Sequence, residues 1–176
     1  MKKSHLALGM VVLLCSATTL AQGFRLGADA VGMVPTGDYS NNYGVGIGGL
    51  VRMEAISPGG FVFTFRTGYI QHLTKIARDD LRTTKKLDEV PILLGTRFYT
   101  VARIYAAIEA GVSSSGVTIT TATSNISDSS LTGTAALGIG ILLGPIDLQF
   151  SIRSVDLYRM KNTLEYGSTL GFFINL

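Results

Sequence analysis

The chain has 176 residues, of which 47% are apolar and only 15% charged, where roughly 25% charged is usual for a soluble domain. With 21 Gly, no Trp and a mean hydropathy of +0.37, it is too apolar to be disordered or to wrap nucleic acid, although its pI near 9.1 points that way. The length allows one domain with a core of its own.

At the start, Lys2 and Lys3 precede an apolar run over 6–14 and the sequence Thr19-Leu20-Ala21. This order of basic, apolar and small residues is that of a secretory signal peptide, with cleavage expected after Ala21 and a mature domain of residues 22–176. The single cysteine, Cys15, leaves with the signal, so no disulfide or thiol chemistry is expected. Losing Lys2 and Lys3 takes the 15 basic side chains to 13, against 12 acidic ones. The basic pI therefore carries no nucleic-acid signal. No later stretch offers the roughly 20 apolar residues of a transmembrane helix. The nearest, 131–146, is short and broken by Gly133, Gly138, Gly140, Gly144 and Pro145. An exported chain of this kind is either a soluble all-β domain or a closed membrane barrel.

Period-2 alternation, interrupted by Gly, Pro, Asn and Asp, predicts eight strands: 24–34, 43–54, 61–72, 89–99, 103–112, 131–142, 146–154 and 164–176. The connections alternate between long and short, as in an up-and-down transmembrane barrel with tight periplasmic turns and longer outer loops. The short ones lie around Pro58-Gly59-Gly60, Val101-Ala102 and Gly144-Pro145. Both termini are then periplasmic.

Parity divides each strand into two faces. One is apolar and carries Leu26, Val51, Phe63, Phe65, Leu94, Ile108, Ile139, Phe150, Leu170 and Phe172, with no charge. The other carries Arg25, Asp29, Arg52, Glu54, Arg66, Glu89, Arg97, Arg103, Glu109, Asp147, Arg153 and Glu165, together with most of the strand glycines. A solvent-facing surface gains nothing from glycine, whereas a narrow eight-stranded bore needs room for long side chains to cross and pair. The charges are therefore expected inside, as a twelve-member network closing the lumen, and the apolar face outside in lipid. Tyr43, Tyr69, Tyr158 and Tyr166 near the loop ends, and Phe24, Phe61, Phe98 and Tyr99 near the turn ends, read as two aromatic girdles. Pro91 predicts a bulge or irregular pairing near the outer rim, and Asp156 is placed in the loop after the seventh strand.

The eight-strand plan, the motif Glu89-Val90-Pro91-Ile92-Leu93-Leu94 followed by Arg97-Phe98-Tyr99, and the terminal alternation Leu170, Phe172, Ile174, Leu176 together resemble the outer-membrane β-barrel domain family, with its OmpX-like and porin-family members. The chain departs from that pattern at Leu176, where members usually finish on Phe. The resemblance implies a bacterial outer-membrane location, lipid and lipopolysaccharide as surroundings, and insertion by the barrel-assembly machinery. It implies no single activity, since members serve as adhesins, small channels, lipid-modifying enzymes and stabilisers.

Several local features compete with bland readings. Gly44-x-Gly46-x-x-Gly49 matches a dinucleotide fingerprint literally, but no helix follows and no acid stands about twenty residues on, so these glycines read as lumen spacers. His72, the only mature histidine, has no serine at hydrolase spacing beside it. One histidine without cysteine argues against a transition-metal site. Lys75, Arg78, Arg82, Lys85 and Lys86 in the loop 74–88 form either a lipopolysaccharide contact or a solvated loop. The Ser/Thr-rich stretch 113–130 is β-prone around Val117-Thr118-Ile119-Thr120 and can extend the fifth and sixth strands. The expectation is a monomeric, non-enzymatic barrel with no cofactor and no nucleic-acid partner, in a structural or surface-interaction role. The alternatives are a narrow porin-like channel and a soluble lipocalin-like carrier with Phe63, Phe65 and Leu148 inside.

Overall fold

The computed structural model describes residues 23–77, 80–100, 103–120 and 125–176. The expected signal peptide lies outside these residues. Eight strands follow one another: β1 (Gly23–Pro35), β2 (Gly46–Ile56), β3 (Phe61–Ala77), β4 (Asp80–Tyr99), β5 (Ile104–Thr120), β6 (Asn125–Leu143), β7 (Ile146–Ser154) and β8 (Leu164–Asn175). Each is antiparallel to its sequence neighbours, and β8 pairs with β1 to close a barrel. Closure leaves the sheet no edge of unpaired N–H and C=O groups, which would have no partner in apolar surroundings. A short helix, α1 (Gly37–Asn42), links β1 to β2, and a 3-10 segment, Leu157–Asn162, links β7 to β8.

The two ends of the barrel differ as the alternating connections predict, but the added length lies in strands rather than loops. Strands β3 to β6 are 17, 20, 17 and 19 residues long, against 9 for β7. The β2–β3 ladder stops near Gly46↔His72 and the β6–β7 ladder at Ala135↔Ser154, while β5–β6 pairing continues to Thr120↔Asn125. A four-stranded ledge therefore projects from one end. From Ile126 to Leu131 every side chain is exposed, so this part of β6 has no buried face and shows no apolar alternation. At the opposite end, Gly59 and Gly60, with φ of 87° and 82°, make the β2–β3 turn, and Gly144, with φ of 65°, makes the β6–β7 turn. Glycine enters this left-handed region without steric cost.

At Pro91 the pairing is irregular, as expected, but without a bulge. The β3–β4 register is the same at Thr67↔Ile92 and Ile70↔Glu89; only the intervening pairs drop out of the ladder. Pro91 has no N–H to donate. The register shifts instead between His72 and Lys75, in the ledge.

The wall is sorted by parity. Phe150, Leu137 and Ile139 point outward with 67%, 63% and 60% of their surface exposed, and Phe63 and Leu148 are exposed with them. Arg52, Arg97, Arg153 and Tyr105 point inward and are fully buried. This is the reverse of a carrier with an apolar bore. Tyr69, Tyr158 and Tyr166 are exposed toward the ledge end, and Phe24, Phe61 and Phe98 toward the turn end, where the Phe61 and Phe98 rings meet at 5.0 Å. The expected girdles lose two members. Tyr99 shares its parity with Arg97 and packs on Tyr105 at 5.2 Å. Tyr43 folds over the barrel mouth against Tyr39, 5.0 Å between ring centres.

Candidate functional site

The bore holds two charge clusters rather than one continuous network. Nearer the short turns, Arg25, Arg52, Arg66 and Arg97 meet Asp29, Glu54, Glu109 and Asp147. Arg52 reaches Asp29 at 3.3 Å, Glu54 at 3.2 Å and Asp147 at 2.6 Å. Arg97 holds Glu54 at 3.0 Å and Asp147 at 2.7 Å and donates to Gln149 at 2.8 Å. Arg66 links Asp29 at 3.2 Å to Glu109 at 3.0 Å, and Arg25 joins through Glu54 at 3.4 Å. Four cations thus face four anions. Aromatic rings line the same space: the Arg97 guanidinium lies 4.4 Å above the Tyr105 ring and that of Arg52 5.5 Å from Phe173. Desolvating an ion costs several kcal/mol, and only multiple well-placed partners offset it.

Glycine makes this packing possible where an inward ring needs the wall to recede. A side chain at Gly140 would run into the Tyr105 ring, and a Cβ on Gly46 would stand 2.8 Å from Cε1 of His72. Val31, Met33, Leu50 and Ile70 form an apolar cluster above the first group of charges. Along β3 and β4 this apolar level separates Arg66 from His72 and, through buried Leu93, Arg97 from Glu89.

The second cluster lies beyond that level, toward the ledge. Arg153 on β7 donates through Nη2 to Glu89 of β4 at 2.7 Å and to Glu165 of β8 at 2.6 Å. The Ser113 hydroxyl donates to the other Glu89 oxygen. His72 points into the same group, with Nε2 3.4 Å from Glu165 Oε1 and 3.8 Å from Glu89 Oε2, and Nδ1 3.3 Å from the Gly44 carbonyl oxygen. His72, Glu89 and Glu165 have no solvent exposure and are the residues here able to hold a metal ion. Tyr39 of α1 covers them, its ring edge-on to His72 at 5.9 Å, and packs with Leu87 and Val155 as an apolar lid. Burial, reinforced by the Glu165 and Glu89 charges below, holds the Tyr39 hydroxyl above its ordinary pKa, so the lid is neutral.

Of the twelve residues expected in the lumen, eleven face the bore. Arg103 does not: it is exposed in the turn ahead of β5, with a φ of 72°, because the strand begins one residue later. His72 was not among the twelve, although its parity with Arg66 is legible. Among the described residues no hydroxyl or thiol hydrogen-bonds to His72. In the expected lipopolysaccharide-contact group, Lys86 pairs with Asp88 at 3.2 Å at a half-exposed position. The backbone places Lys75 in β3 and Arg82 and Lys85 in β4, and Arg78 lies outside the described residues.

An eight-stranded up-and-down barrel with an apolar outer wall and a paired-charge bore has the fold of the small outer-membrane β-barrels. Solved structures of that class align over nearly their whole length. The N-terminal β-barrel domain of Pseudomonas aeruginosa OprF matches with a TM-score of 0.59 at 12% identity, over 85% of this chain and 97% of that one. Neisserial surface protein A matches at 0.57 and 17% identity, over 89% and 99%. Ail, the attachment invasion locus protein of Yersinia pestis, matches at 0.57 and 9% identity, over 86% and 97%. No family model and no curated protein sequence matches the chain.

Proposed function

We propose that the chain is a monomeric bacterial outer-membrane barrel with a closed lumen, which serves envelope structure or surface interaction through its outer end. The observation that carries this reading is the radial sorting. An outward wall led by Phe150, Leu137 and Ile139 is at home in lipid, and every buried arginine of the bore is paired. Arg52 and Arg97 bridge from β2 and β4 to Asp147 on β7, crossing a space that eight strands make only wide enough for side chains. The apolar level of Val31, Met33, Leu50 and Ile70 disfavours a water thread through its part of the bore. Catalysis draws no support from His72, which has no hydroxyl or thiol partner among the described residues.

On this reading a signal peptide exports the chain, the barrel-assembly machinery inserts it, and lipid and lipopolysaccharide surround it, with both termini periplasmic. The ledge and α1 then face outward, where Lys86 and the basic backbone positions beside it stand near lipopolysaccharide phosphates. The likeness to a neisserial surface protein and to an attachment protein favours surface interaction for the ledge. The test combines membrane fractionation, gel mobility before and after heating, and planar-bilayer recording. Outer-membrane recovery, heat-modifiable mobility and a flat current trace are expected. A protein found soluble in the periplasm, or steady single-channel steps, would contradict the reading.

A further inference from the structure

Among the described residues, the cluster under Tyr39 is the one in which carboxylates outnumber the arginines that face them. In the cluster nearer the short turns, four arginines face four carboxylates. In the cluster under Tyr39, Arg153 is the one arginine among the described residues that faces Glu89 and Glu165. Two atoms there lack any hydrogen-bond partner, His72 Nε2 and Glu165 Oε1, and they face each other at 3.4 Å in residues with no solvent exposure. In the neutral tautomer whose Nδ1–H donates to the Gly44 carbonyl oxygen, Nε2 is a lone pair. A lone pair aimed at a carboxylate oxygen in a dry site is satisfied by a proton or by a metal ion between them.

We propose that His72 Nε2, Glu165 Oε1 and Glu89 Oε2 form a buried site for a divalent transition metal, zinc above all. Zinc bonds of about 2.0–2.2 Å to imidazole and carboxylate put tetrahedral ligand atoms about 3.3–3.6 Å apart. The His72 to Glu165 and His72 to Glu89 separations are 3.4 and 3.8 Å, and all three donors lie within 4.8 Å of one another, so only the side between the carboxylates has to close appreciably. Arg153 does not occupy the site: it binds the other Glu165 oxygen and shares Glu89 Oε2, the place of an outer partner that orients both carboxylates. Ser113 fixes the second Glu89 oxygen in the same way. Three protein ligands leave a fourth position for water. A zinc-bound hydroxide there would balance the charge of the ion, Arg153 and the two carboxylates. An imidazole with two carboxylates favours zinc, copper or nickel over calcium or magnesium, which prefer all-oxygen shells. Entry is past Tyr39, so α1 is the lid.

The test uses the full mature barrel, folded in detergent and stripped with chelator. Zinc is titrated by calorimetry and counted by elemental analysis after desalting, and cobalt(II) serves as a spectroscopic probe. One zinc per barrel and intense tetrahedral cobalt bands are expected. Affinity should fall at least 100-fold in His72→Ala and Glu165→Gln, each checked for folding by heat-modifiable mobility. Tyr39→Ala should load zinc faster at unchanged stoichiometry. Should the variants fail to fold, the cobalt spectrum of the unaltered barrel decides. Weak six-coordinate bands, no stoichiometric zinc at micromolar concentration, or binding undiminished in His72→Ala would overturn the site.

Discussion

Arg52 on β2 donates to Asp147 on β7 across the bore, Nη1 to Oδ2 at 2.6 Å. The same carboxylate oxygen accepts from Arg97 at 2.7 Å, and its other oxygen accepts from the Tyr105 hydroxyl at 2.6 Å. One aspartate thus ties three strands to a fourth. Removing it takes a carboxylate from two buried guanidiniums, which keep Glu54 and, for Arg52, Asp29, and breaking a buried pair from one side costs about 3–5 kcal/mol. Asp147→Ala should lose about that much in urea unfolding of the micelle-bound barrel. Lys86→Ala, which breaks a half-exposed pair, should change stability by about 0–1 kcal/mol.

The inner wall should also resist added volume where it receives a ring. Gly140→Val pushes into Tyr105 and the Leu148 carbonyl, and overpacking of this kind costs about 1–3 kcal/mol. The contrast is Gly49, on the outer wall, where a Cβ meets nothing closer than the Asp29 carbonyl oxygen at 3.8 Å. Gly49→Ala should fold as the unaltered chain does. Unfolding midpoints of the two variants, measured side by side, check this.

These effects show what the sequence contains and what it does not. The boundaries of β7 are legible because Ile146 to Ser154 alternates strictly between a turn glycine and a loop. The start of β4 is not, since residues 80–88 are mostly charged residues and Thr in a ledge without the apolar alternation that marks a half-buried strand. Arg103 has the parity of Tyr105, yet parity holds only inside a strand, and the strand starts at Ile104. Inward positions are readable residue by residue, but partners across the bore depend on how the sheet closes. That is why His72, Glu89, Arg153 and Glu165, drawn from four strands, become a cluster only in the closed barrel, and why twelve expected network members resolve into two groups and one outlier.

The outer wall makes a third prediction. Phe150 lies in the middle of β7 and is the most exposed phenylalanine among the described residues. A cation at mid-bilayer on the lipid face costs about 2–4 kcal/mol, so Phe150→Arg should lower folding stability in liposomes by that amount. The measurement is a denaturant titration followed by heat-modifiable mobility. In a barrel whose outer wall faced water, the same change would be neutral.

The most direct test of the central claim uses the absence of tryptophan from the chain. Single-tryptophan variants Phe150→Trp and Tyr105→Trp place one indole on each face of the wall. In vesicles of brominated lipid, Phe150→Trp fluorescence should be strongly quenched and that of Tyr105→Trp nearly untouched. Quenching at position 105 with none at 150, or a Phe150→Trp protein that stays in solution beside the vesicles, would contradict the account.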